Sequence, residues 1–128
     1  MPPKSPLGSK KIMAFVGTQD AAKAQAFYRD TLGLRLISED PFALAFDAHG
    51  IMLRVTRVAK AVIAPYTVLG WQVRNVNKTV KALLKAGVIF ERYKGMGQDD
   101  FGIWQSPNGA KVAWFKDPDG NTLSLTQL

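Results

Sequence analysis

Gly120-Asn121-Thr122-Leu123-Ser124-Leu125, near the end of the chain, repeats the pattern of Gly50-Ile51-Met52-Leu53-Arg54-Val55 near its middle. Each begins with a turn glycine. Each then alternates, with Leu53 and Val55 in one copy and Leu123 and Leu125 in the other. Period-two alternation puts such residues on one face of a strand. The repeat extends outward. In the first half, residues 11–16 form an apolar run of strand length, and Asp20 can cap a helix. Ala24, Phe27, Tyr28 and Leu32 recur at three- and four-residue steps, so the spacing predicts a helix over 21–32 ending at Gly33. Strands follow at 35–40, 42–47 and 51–58.

A connector at 59–65 leads into the second half. A strand is expected at 66–73. A helix capped by Asn75 or Asn77 carries Val76, Val80, Leu83 and Leu84 on one face and stops at Gly87. Strands are expected at 88–92, 103–106, 111–116 and 122–128. The turns Pro107-Asn108-Gly109 and Asp117-Pro118-Asp119-Gly120-Asn121 join the last three. The order reads βαβββ twice. The predicted fold is α+β: two βαβββ modules, about 11–58 and 66–128, forming a curved mixed sheet around a cleft with helices outside. Residues 1–10, with three prolines, read as a flexible leader.

Composition narrows the function classes. The 128 residues suit one domain. Without cysteine there are no disulfides, thiolate metal sites or cysteine nucleophiles, which fits a reducing, cytoplasmic setting. His49 is the single histidine, so no two-histidine metal site can form within one chain. No apolar run reaches membrane-spanning length. The net charge of +7 is diluted: Lys4, Lys10 and Lys11 lie in the leader, and Lys78, Lys81 and Lys85 fall on the polar side of the second helix. No nucleic-acid motif accompanies them. No phosphate loop, dinucleotide fingerprint or nucleophile elbow is present.

Phe27-Tyr28-Arg29-Asp30-Thr31-Leu32-Gly33-Leu34, Leu84-Lys85-Ala86-Gly87-Val88 and Phe115-Lys116-Asp117-Pro118-Asp119-Gly120-Asn121-Thr122-Leu123, set on the βαβββ repeat, carry a family likeness. The chain resembles the glyoxalase/bleomycin-resistance/extradiol-dioxygenase family, also called the vicinal oxygen chelate superfamily, over residues 11–128. The resemblance implies a small-molecule site between the modules and a homodimer. The family's metal enzymes place their ligands on the inner sheet face, in the first and last strands of each half. Here those positions carry Met13, Arg54, Val68 and Ser124, so no metal and no other cofactor is expected. A metal-dependent lyase or dioxygenase of the same superfamily is the alternative reading, and an interaction module without ligand a third.

Alternation extends the inner face to Phe15, Met52, Thr56, Gly70, Gln72, Thr122 and Thr126. The expected ligand-binding set is Met13, Phe15, Met52, Arg54, Val68, Gln72, Trp104 and Ser124, an apolar wall with a few polar groups. Alternation does not settle which way Trp104 and Trp114 face. Asp99 and Asp100, on the glycine-rich loop 93–102, are candidate bases. An inner guanidinium is costly unless paired. No carboxylate holds another inner position, so Arg54 is expected to meet Asp99, Asp100 or an anionic ligand.

Overall fold

The computed structural model describes residues 6–128. Residues 1–5 of the expected leader lie outside them. Within the rest of it, the Lys10 amide closes a turn on the Leu7 carbonyl.

β1 (Met13–Thr18) leads to α1 (Ala21–Gln25), which widens into a π-helical stretch, Ala26–Thr31. Asp20 caps α1 by accepting from the Lys23 amide at 3.1 Å. The wide turn shows in the Leu32 amide, which donates to the Phe27 carbonyl five residues back. Gly33 then adopts φ 79°, a region open to glycine at little cost. β2 (Arg35–Glu39), β3 (Ala43–Ala48) and β4 (Ile51–Arg57) complete the first module. The second comprises β5 (Leu69–Gln72), α2 (Val76–Lys85), β6 (Trp104–Gln105), β7 (Lys111–Lys116) and β8 (Thr122–Gln127). Asn75, not Asn77, caps α2, accepting from the Lys78 amide at 3.1 Å.

Each module builds one four-stranded mixed sheet. The orders are β1-β4-β3-β2 and β5-β8-β7-β6, with β1 parallel to β4 and β5 parallel to β8. The two orders are the same when read module by module, as the repeat requires. The strand expected at 88–92 does not form. Only a bridge between Phe90 and Phe115 and a bond from the Glu91 amide to the Trp114 carbonyl remain of it. That segment shares the outer edge of β7 with the two-residue β6, and the loop between them interrupts the ladder.

The core lies on the helix-facing side of both sheets. Leu44, Phe46, Leu53 and Val55 from the first sheet, and Ala113, Phe115, Leu123 and Leu125 from the second, are buried with Tyr28, Val76 and Val80. The first helical segment serves both sheets. The Tyr28 ring packs 5.8 Å from Phe46, and the neighbouring Phe27 ring 6.4 Å from Phe115.

Polar bonds repeat that linkage. The Tyr28 hydroxyl donates to Asp117 Oδ2 at 2.7 Å, and Asn121 Nδ2 donates to the same oxygen at 2.8 Å. Asp117 Oδ1 accepts the amides of Asp119 and Asn121. Asn121 Nδ2 also reaches the Gly17 carbonyl, and the Gln19 amide reaches Asp119 Oδ1. The Asp117–Asn121 turn therefore fastens the second module to the first.

Candidate functional site

Alternation along β1 and β4 sends Val16, Leu53 and Val55 into the core and leaves Met13, Phe15, Met52 and Arg54 on the opposite face. The register places Met13 beside Met52, and Arg54 between Phe15 and Ala45. Phe15 is 59% exposed and Met13 45%, large values for apolar side chains on a strand. Both are uncovered in one chain, while Ala43 and Ala45 on the same face are buried.

Among the described residues the Arg54 side chain forms no hydrogen bond and no ion pair. The nearby acid is one that alternation did not suggest. Asp40, in the β2–β3 turn, accepts the amides of Phe42 and Ala43 at 2.7 and 2.9 Å. Those backbone bonds hold its carboxyl below the usual range, and the charges of Arg54 and Arg57 add to the effect. Arg57 itself pairs with Glu39 at 2.7 Å. Arg54 thus sits in the field of Asp40 without touching it, and its donors stay unengaged.

Asp99 and Asp100 do not meet Arg54. Asp99 Oδ1 accepts the Phe101 and Ile103 amides, both at 2.9 Å, and so shapes its own loop. That loop docks on α2, where Lys81 Nζ lies 5.3 Å from the Phe101 ring centroid. Asp100 borders a hollow with Leu84, Arg92 and Phe101. Chain proximity could not reveal this, because the docking depends on a helix some twenty residues earlier in the sequence.

The second sheet carries the other half of the expected set. Buried Leu123 and Leu125 put Ser124 on the face away from the core, opposite Trp114 in the β7–β8 register. The facing of the tryptophans is now settled. Buried Ala113 and Phe115 turn Trp114 to the Ser124 side, and the Trp104 ring lies 6.1 Å from it. Tyr93, which the sequence reading passed over, packs edge-on against Trp114 at 5.5 Å. Gly70 is pressed to Ser124: a Cβ there would lie 2.7 Å from Ser124 Oγ. Val68 bonds its amide to the Thr122 carbonyl, and Gln72 is exposed at the end of β5.

One chain therefore gathers Met13, Phe15, Met52 and Arg54 on the first sheet, and Val68, Gln72, Trp104 and Ser124 on the second. Both groups face away from the shared core. None of five cavities that the chain forms is lined by members of both groups.

The donor chemistry can be tested against a metal ion. A thioether, a guanidinium, an isopropyl group and a hydroxyl occupy Met13, Arg54, Val68 and Ser124. Hard divalent ions want carboxylate oxygen or neutral imidazole, and a fixed positive charge opposes them. The set does not fit. Among the described residues no three acidic, histidine or cysteine side chains cluster to replace it. His49 stands in the β3–β4 turn at φ 53°. No helix among them is long and apolar enough to cross a membrane.

Residues 11–125 match the family model described as Glyoxalase/Bleomycin resistance protein/Dioxygenase superfamily. No curated protein matches the chain. Solved structures do. A glyoxalase family protein from Enterococcus faecalis superposes with TM-score 0.74 at 18% identity, over 92% of this chain and 98% of that one. A superfamily member from Sphaerobacter thermophilus DSM 20745 gives 0.71 at 22% identity, over 94% and 98%. A lactoylglutathione lyase from Agrobacterium tumefaciens gives 0.70 at 19% identity, over 92% and 93%. At such identities the likeness is one of fold.

Proposed function

Because the chain belongs to the Glyoxalase/Bleomycin resistance protein/Dioxygenase superfamily, we propose that it binds a small anionic molecule on its open sheet faces without a metal ion. The observation that carries this reading is Arg54, a half-buried cation with no partner among the described residues, set between Phe15 and Met52 on an apolar face. A guanidinium offers a planar fork that a carboxylate or phosphate can meet with two parallel bonds. Met13, Phe15 and Met52 would cover the apolar part of such a ligand.

The other wall is assigned to a second copy of the chain. The uncovered Met13 and Phe15 favour a homodimer that buries them. The face of matching character exposes Val68 and Gln72, with Trp104 half-buried and Ser124 buried beneath them. Asp99, whose Oδ1 is committed to its own loop, and Asp100, beside Leu84 and Phe101, have no part in this reading. Cytoplasmic residence belongs to the proposal, as does a role in sequestering the bound compound.

Native mass spectrometry and metal analysis of protein purified without chelator provide the test. The expected result is no stoichiometric zinc, nickel, iron or manganese, and a retained small anion. Arg54→Met should release that anion, at a cost of about 2 kcal/mol or roughly thirtyfold in Kd. Equal retention by the variant would defeat the anion reading. A tightly held ion would favour the second reading, a metal-dependent lyase or dioxygenase, in line with the name of the Agrobacterium tumefaciens neighbour.

A further inference from the structure

An apolar hollow lies on the other side of the second sheet. It measures about 190 Å³ and is lined by Leu32, Trp71, Val73, Leu83, Phe115 and Leu125, with Gln72 and Thr79 also at its wall. Trp71, Phe115 and Leu125 are the helix-facing residues of β5, β7 and β8, so the hollow backs onto the face opposite Trp114 and Ser124. The hollow is open to solvent along one side, where Leu32, Trp71, Val73, Thr79 and Leu83 are only half-buried, while Phe115 and Leu125 form its buried floor.

Three features of the lining define what fits. The Trp71 and Phe115 rings are stacked, with planes 20° apart and centroids 6.3 Å apart, and the other walls are aliphatic. No charged side chain lines the hollow, so a neutral occupant is favoured over an ion. One polar side chain at the wall retains hydrogen-bonding capacity. Thr79 Oγ1 donates to the Asn75 carbonyl at 3.1 Å and can still accept.

The hollow also sits at the end of the π-helical stretch, since Leu32 immediately follows Ala26–Thr31. Such widened turns are uncommon and are concentrated at functional sites.

We infer that this hollow is a second binding site, for a neutral single-ring aromatic molecule with a hydroxyl-type substituent. The ring packs among Leu32, Leu83, Leu125 and the Trp71–Phe115 pair. The hydroxyl donates to Thr79 Oγ1. The site is independent of Arg54 and differs from it in charge preference.

Phenol is the probe, titrated into methyl-labelled full-length protein and followed by NMR. The expected result is a saturable shift of the Leu32, Val73, Leu83 and Leu125 methyls, with those of Met13, Met52 and Val68 unmoved. Leu83→Trp, which fills the hollow, should weaken phenol at least tenfold, while Leu83→Met should bind within about threefold of wild type. No saturable shift at the lining methyls would overturn the assignment. So would shifts confined to the open sheet faces, or unchanged affinity in a folded Leu83→Trp. The wild-type titration decides the matter even if that variant does not fold.

Discussion

Tyr28 joins apolar packing to a polar bond within a single side chain. Its ring is fully buried against Phe46, and its hydroxyl ends on Asp117. Burial pushes its phenol well above the usual range, and the charge and hydrogen bond of Asp117 push the same way. A raised folded-state value means stability that is present below the phenol's ordinary 10.0 and is lost as pH climbs above it. Tyr28→Phe should cost about 1.5–3 kcal/mol in urea unfolding at neutral pH. It should also flatten the alkaline decline, and an equal alkaline decline in the variant would deny Tyr28 that role. Asp40 works in the opposite sense. Its carboxyl is lowered from 3.8 by the Phe42 and Ala43 amides, so its contribution is present above that value and fades as pH falls through the folded one. Asp40→Asn should lower Tm at pH 7, and the gap to wild type should close on acidification below 3.8. A gap independent of pH would count against it. Neither role could be read from local pattern. Tyr28 and Asp117 are 89 positions apart, and Asp40 approaches Arg54 only after the hairpin closes.

Among the elements, α2 shows how local chemistry can suffice. Val76 and Val80 are fully buried at helical spacing, and Asn75 supplies the cap. Asn75→Ala should cost about 1 kcal/mol by chemical denaturation. Asn77→Ala, inside the helix, should cost much less, and equal losses would misplace the cap. The strands of both sheets were legible for the same reason, since period two marks Leu53 and Val55 against Met52 and Arg54. Edge segments were not. Both 88–92 and 103–106 reach the outer edge of β7, and how they divide it is a tertiary outcome that composition does not record. The facing of Trp104 was hidden likewise, because a two-residue strand has no alternation to read. The π-helical stretch was also beyond reach: apolar spacing at three and four residues looks alike in α-helical and widened turns.

At the scale of the molecule, two sheets share one core and leave several large apolar side chains exposed. Phe15, Met13, Phe42 and Val68 are all substantially exposed. Sedimentation at micromolar concentration should therefore give twice the 14.1 kDa chain mass. A 14.1 kDa species would mean that these faces stay open. The two turns that the repeat aligns end up with different duties. Asp47-Ala48-His49-Gly50 corresponds to Asp117-Pro118-Asp119-Gly120, and Asp47 Oδ1 accepts only the Gly50 amide. Counting back from Gly87 as from Gly33, the counterpart of Tyr28 is Ala82, which has no hydroxyl to give. The two halves are therefore not interchangeable. A chain built from two copies of the first half would keep an aspartate at the Asp117 position but put His49 and Ile51 where Asp119 and Asn121 stand, and one built from two copies of the second would lack the phenol.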